Sequence, residues 1–274
     1  LSNAVGVSGK EDAVRKIILN AIKDHVDDIQ VDALGTITAL KKGTESNRPK
    51  VMLAAHMDEI GFMVTGVESN GLIRFTNIGG VDERILPGLR VKVGDNLIPG
   101  VIIWTPIHRN HEQNVVKLKN LRIDVGATDK NGGKIKAGDR VVFDSKFMEI
   151  GDKMLRGKAF DDRVGCSILV DVLTANIYKS DILVAFTVQE EIGLRGARVA
   201  AQKLNPDLAF VLEGTTAHDV PNPMAEADDD DDVNPTTMLG SGPALTVMDR
   251  SMITSPLVLK FMRETAEDNA IPYQ

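Results

Sequence analysis

The sequence predicts an α/β protein whose mostly parallel sheet carries helices on both faces, interrupted by a small inserted all-β domain. Three observations predict it. Apolar runs of strand length alternate with amphipathic stretches of helical period on either side of the chain's middle, the pattern of a parallel sheet covered by helices. Several of those runs, "VMLAAH" and "ILVAFTV" among them, are apolar on both faces, as central strands are. The middle, residues 61–150, holds only short β-rich pieces and no helix of convincing length.

Along the chain, "SGKEDAVRKIILNAIKDHV" places Ser8 and Glu11 at capping-box spacing, ahead of an apolar stripe of Val14, Ile17, Ile18, Ala21 and Ile22. "VDALGTITALKKG" and "PKVMLAAHMDEIGFMVTGV" read as strands. The β-rich pieces are "GFMVTGV", "LIRFTNIGG", "LRVKVGD", "GVIIW", "VVKLKNLRIDVGA" and "DRVVFD", with Asn70–Gly71 and Asn131–Gly132 as hairpin signals of the primed-turn kind. "RVGCSILVDVLTANI" then reads as a helix, "DILVAFTV" as a buried strand, "GLRGARVAAQKL" as a helix and "DLAFVLE" as another buried strand. A last helix, "SPLVLKFMRETAEDN", precedes "IPYQ", which reads as the opening of one more strand. Residues 1–60 and 151–274 are thus expected to form one domain, split by an insertion at 61–150. The aspartates at 228–232 repel one another and read as a solvated loop rather than a cation site.

With 274 residues, 43% of them hydrophobic and 26% charged, the chain can bury one large core or two modest ones. A net charge of -7 argues against nucleic acid as a partner, which needs a basic face. No apolar run approaches the roughly 18 residues of a membrane span, and the expected location is the cytoplasm. The single cysteine, Cys166, precludes an internal disulfide and a thiolate metal cluster; among small apolar neighbours it reads as a buried structural thiol.

Open α/β sheets place their sites at the carboxyl ends of strands. There "VMLAAH" ends in His56, with Asp58 two residues on; "ILVAFTVQ" runs into Glu190 and Glu191; "LAFVLE" ends in Glu213. Asp161 and Asp162 of "GKAFDDRVG" precede a helix, where N–H groups also favour carboxylates. Any one of these would ordinarily be a surface charge, a helix cap or a structural histidine. Together they bring one imidazole and several carboxylates to one sheet edge, and converging anions repel unless a cation sits among them. One histidine with several carboxylates suits zinc, cobalt or manganese better than calcium or copper. Two adjacent glutamates then have separate tasks: Glu191 holds metal, while Glu190 takes a proton from water that the metal has acidified. Asp58 is placed to orient the imidazole.

At these residues the sequence resembles the M42 metallo-aminopeptidases, a family of glutamyl, leucyl and deblocking aminopeptidases of the tetrahedral type. The resemblance is carried by "AAHMDEIGFMV", "GKAFDDRVGC", "VQEEIGLRGA" and "LEGTTAHDVP", and it runs nearly end to end, through "GGVDERILPGLRVKV" in the insertion. It implies two divalent ions per subunit, zinc or cobalt: His56 binds one, Glu191 the other, Asp161 bridges them, and Glu213 completes the first. It also implies Glu190 as general base, short peptides as substrates, a PDZ-like dimerisation domain at 61–150, and dimers assembling into a hollow dodecamer. The family's last metal-binding histidine is expected in a segment following "IPYQ"; His25, His108, His111 and His218 lie in the wrong motifs to replace it.

Two rival readings follow. Some M42 members carry an endoglucanase label, but glycosidase carboxylates flank the scissile bond about 5 to 9.5 Å apart, and one Trp and two Tyr make a poor sugar platform. The other rival is a non-catalytic assembly subunit.

Overall fold

A five-stranded sheet carries His56, Glu190, Glu191 and Glu213 at or just beyond the carboxyl ends of its strands. The computed structural model describes residues 1–106, 115–130, 134–175, 177–219 and 237–274. The Asn131–Gly132 turn, His108, His111 and the acidic run at 228–232 lie outside the described residues. The chain forms two compact units, Leu1–Gly214 and Thr215–Gln274.

In the first unit, helix α1 (Asp12–Ile22) precedes β1 (Asp28–Val31), β2 (Ile37–Lys41) and β3 (Lys50–His56). After the β-rich stretch come α2 (Phe160–Ala175), a strand at Asp181–Thr187, α3 (Arg195–Leu204) and a strand at Leu208–Val211. Those two strands are β12 and β13, and the sheet order is β1-β2-β12-β3-β13. Only β12 with β3 and β3 with β13 are parallel; β1 with β2 and β2 with β12 are antiparallel. The sheet is therefore mixed, which corrects the expected mostly parallel one. For β1 and β2 the reason is local: Asp32 Oδ1 accepts N–H bonds from Leu34, Gly35 and Thr36, closing a tight turn that can join only antiparallel strands.

Strand alternation sends Ile182, Val184 and Phe186 to one face, against Val14, Ile18 and Ile22 of α1 and Cys166, Leu169 and Leu173 of α2. The opposite face presents Ala54 and Ala185 to Ala200 and Leu204 of α3. Helices thus cover both faces, and the alanines let α3 approach closely. Gly196 completes that approach, since a Cβ there would lie 2.7 Å from the Val188 backbone.

The stretch from 61 to 143 closes on itself. Strands β4 (Gly61–Val67), β5 (Ile73–Ile78), β6 (Arg90–Val93), β7 (Ile98–Ile103), β8 (Arg122–Asp124) and β9 (Arg140–Phe143) form a barrel in the order β4-β5-β8-β7-β6-β9. The small all-β insertion expected from the sequence is thus a closed six-stranded barrel. Its core holds Phe62, Val64, Ile73, Phe75, Val91, Val93, Ile102 and Ile123, with Phe62 edge-on to Phe75 and Phe143 at 5.0 and 5.3 Å. The Asn70–Gly71 signal does mark a hairpin, but with Ser69, Asn70 and Gly71 all in the loop: Glu68 N–H donates to Leu72 O, and Gly71 takes φ +88. That is a three-residue connection, not a two-residue primed turn. A short ribbon of β10 (Met148–Ile150) and β11 (Met154–Arg156), absent from the sequence reading, leads back toward α2.

In the second unit, Pro256 opens α4 (Pro256–Asp268). "IPYQ" forms no strand; instead Gln274 N–H donates to Pro243 O, and Leu245 N–H to Gln274 O. Among the described residues no helix is long and apolar enough to cross a membrane.

Candidate metal centre

His56 is the last residue of β3 and pairs with Thr187, the last of β12, so both strands end at one level. Beyond Thr187 the chain turns sharply, with Gln189 and Leu194 in the left-handed region and Gly193 and Leu194 N–H groups donating to Glu190 O. That turn returns Glu190 and Glu191 toward β3. Beyond β13, Glu213 arrives from the other side, and Gly214 packs so tightly on Asp161 that a Cβ would sit 2.9 Å from the aspartate's own. Asp161 and Asp162 stand at the start of α2 in non-helical backbone, joined by a cis peptide.

The strand ends bring these side chains together around one nitrogen. His56 Nε2 is 2.8 Å from Asp161 Oδ1, 3.3 Å from Glu213 Oε1 and 3.9 Å from Glu190 Oε2. His56, Glu190 and Glu191 offer ligand-type atoms within 4.8 Å of one another, as do His56, Asp162 and Glu213. The imidazole is 2% exposed, and its Nδ1 lies 3.0 Å from the Asp58 carbonyl oxygen. A neutral ring that donates from Nδ1 to this carbonyl turns its Nε2 lone pair toward the carboxylates.

The ring's near partner is thus the Asp58 backbone carbonyl, and the Asp58 carboxylate, expected to orient the ring, lies farther off at 3.5 Å from Nδ1. That carboxylate is wholly buried, accepts Glu190 N–H at 2.9 Å and Glu191 N–H at 3.2 Å, and takes the Ser8 hydroxyl at 2.6 Å. It therefore fastens the glutamate turn to the end of β3. Ser8 escaped the sequence reading because its spacing to Glu11 spells a capping box; in the structure α1 starts with no side-chain cap, and Glu11 accepts Gly9 N–H instead. Asp162 stands beside the expected bridging residue, Asp161. It is buried, and accepts N–H bonds from His56 and Gly165, so it braces β3 against α2 while Asp161 faces the imidazole. Cys166 is the buried structural thiol expected, donating to His56 O, and burial pushes it up to about 12.

Among the described residues every ion pair of Asp58, Asp161, Glu190 and Glu213 is made with His56, so carboxylates outnumber the cations available to them. The proton equilibria record that surplus. Burial first, then the Asp161 charge, pushes Glu191 up to about 7. Burial and the Glu213 charge push Asp162 up to about 7 as well. Glu190 is raised, chiefly by burial. Burial opposes charging His56, but hydrogen bonds to Asp161, Asp58 and Glu213 outweigh it and raise the imidazole. A divalent cation relieves all of these together, and one imidazole with several carboxylates fits zinc, cobalt or manganese.

Comparison with known proteins agrees with this geometry. The sequence profile of the M42 glutamyl aminopeptidases matches residues 35–274. Aminopeptidase APDkam598 of the archaeon Desulfurococcus kamchatkensis is 38% identical and superposes with a TM-score of 0.92 over 100% of this chain and 76% of its own. A Thermotoga maritima protein described as an endoglucanase is 39% identical, TM-score 0.83, covering 100% and 81%. A Pyrococcus horikoshii TET1 peptidase, which can assemble into a tetrahedron or a large octahedral shell, is 31% identical, TM-score 0.84, covering 100% and 81%. With its strand-end cluster of His56 and carboxylates, the chain belongs to the M42 family of metal-dependent aminopeptidases.

Proposed function

We propose that this protein removes N-terminal residues from short peptides, using two divalent ions, zinc or cobalt, and a glutamate base. The observation that carries the proposal is the ring of carboxylates around His56 Nε2 at the ends of β3, β12 and β13. His56, Asp161, Glu191 and Glu213 would hold the ions, with Asp161 shared between them. When bound, the ions supply Lewis acidity: they lower the pKa of the attacking water and polarise the scissile carbonyl. Glu190, 3.9 Å from Nε2 and 26% exposed, makes its one ion pair among the described residues with His56 and can still meet solvent. It takes the proton from the water and passes it to the leaving amine. Asp58 keeps Glu190 and Glu191 at fixed distance from the imidazole.

In this reading residues 1–60 and 151–274 form the catalytic part, and the insertion at 61–150 supplies the contact between subunits of a homo-oligomer. The shells formed by the TET1 peptidase support assembly. Glycoside hydrolysis fits poorly, because Glu190 and Glu191 are sequence neighbours with carboxylate oxygens within 4.8 Å of each other rather than carboxylates on opposite sides of a sugar.

The deciding experiment strips the purified protein of metal, restores zinc or cobalt, and measures release from a panel of amino-acid anilides. Metal-restored release is the expected result. Release unaffected by stripping, or chelator-insensitive cleavage of a soluble cellulose, would refute the proposal.

A further inference from the structure

We propose that Ser8 is a positioning residue of the metal centre, acting through Asp58; this rests on the metal reading above. Ser8 lies 50 residues from Asp58 in sequence, yet their side chains meet at 2.6 Å with both groups buried. The two oxygens of Asp58 divide their work: Oδ1 receives Glu190 N–H, and Oδ2 receives Glu191 N–H together with the Ser8 hydroxyl. The Glu191 bond is the longer, at 3.2 Å, so the hydroxyl is the short contact that fixes Oδ2. Without it the carboxylate can rotate toward His56 Nδ1, which is only 3.5 Å from Oδ1, and away from the glutamate turn.

Ser8 is itself held for this task. Val7 forms a bridge with Glu59, Gly9 N–H is fixed by Glu11 at 2.6 Å, and Ser8 O accepts from Arg140 Nε of the barrel at 3.3 Å. Restraint on both neighbours and on its own carbonyl leaves the hydroxyl little freedom but to face Asp58. The local alternative was close by. Ser8 and Glu11 have the spacing to cap α1 reciprocally, and α1 instead starts with no side-chain cap. A hydroxyl diverted from helix capping to a buried carboxylate behind the cluster marks a residue whose position serves the site.

The test compares wild type, Ser8→Ala, Ser8→Thr and His56→Ala as whole proteins, measuring zinc affinity by competition with a chromophoric chelator, then anilide kinetics and thermal midpoint. Outer partners of metal ligands typically contribute about 10- to 100-fold in affinity or activity. Ser8→Ala is expected to weaken zinc binding within that range and to lower kcat comparably, with KM unchanged within about twofold, and Ser8→Thr to recover most of both. A fall in thermal midpoint with wild-type zinc affinity and kcat would make Ser8 merely structural and overturn the proposal. If Ser8→Ala does not fold, Ser8→Cys, a weaker donor of similar size, is expected to bind zinc at intermediate strength; wild-type affinity there would overturn the proposal equally. Zinc bound as tightly by His56→Ala as by wild type would instead bring down the metal reading itself, and this inference with it.

Discussion

Two buried charge clusters flank the carboxyl end of β3, three residues apart in sequence and opposite in balance. Around Glu59, a carboxylate 3% exposed meets Lys158 Nζ at 2.7 Å and Arg163 at 3.4 Å, and Gly6 N–H adds a further bond. Around His56, Asp58, Asp161, Asp162, Glu190, Glu191 and Glu213 share one imidazole. In the first cluster the carboxylate is fully paired by the chain's own cations. It ties the N-terminal segment to α2, with Lys158 and Arg163 also donating to the Ala4 carbonyl. The second is left short of positive charge. Buried charges survive when paired, so a cluster that the fold declines to pair is one reserved for a cation from outside.

If that contrast holds, the two clusters should fail differently. The largest effect belongs to Glu190, the proposed base. Glu190→Gln should lower kcat by about 10²- to 10⁴-fold with zinc content and thermal midpoint unchanged; steady-state kinetics beside metal analysis decide it. In the paired cluster, Glu59→Gln leaves two buried cations uncompensated. It should lower the unfolding free energy by about 3–5 kcal/mol in a urea titration, while the folded fraction keeps its zinc affinity. The paired aspartates sharpen the comparison within one motif. Asp161→Asn should weaken zinc binding by at least about 10-fold with little change in metal-free stability, because it faces Nε2. Asp162→Asn should lower metal-free stability by about 1–3 kcal/mol, since it disturbs bonds to His56 and Gly165 N–H, and should affect zinc less.

The smallest effect is the pH dependence of the metal-free protein. Glu191 and Asp162 are raised in the folded state to about 7, and His56 is raised too, so between about pH 5 and 8 the native state binds more protons than the unfolded chain. Stability then falls as pH rises through that window. Asp58, lowered by its hydrogen bonds from His56, Ser8 and Glu190 despite burial, acts in the opposite sense only at more acidic pH. A thermal midpoint that is flat or rising across that window without metal would contradict the surplus of anion. Added zinc should flatten the slope.

How much of this was legible in the sequence depends on where each signal resides. His56, Glu190 and Glu213 could be read because each follows an apolar run, and a polar residue where a buried strand stops is visible in one dimension. The barrel strands could be read from short alternating pieces such as "LRVKV", whose Val91 and Val93 point inward and Arg90 and Lys92 outward. Strand direction could not: a period of two is the same in parallel and antiparallel strands, so the β2–β12 pairing was invisible. The β10–β11 ribbon was missed because Met148, Ile150 and Met154 stay largely exposed and no core imposes a pattern on their neighbours. Ser8 was misread for a different reason. Its local spacing offers a sufficient explanation, and only the fold reveals that a residue 50 positions away outbids it.

The buried guanidinium of Arg163 reaches back 162 residues to the carbonyl of Leu1. Contacts so distant in sequence close slowly, because the chain entropy between their ends must be lost before they reward it. The Arg163 bonds to Leu1 and Ala4 can therefore close only after α2 has formed, and Glu213 lies some fifty residues further along the chain. The carboxylate cluster is thus assembled late in the making of the first unit: the growing chain presents scattered acids, and only the nearly finished unit brings them together.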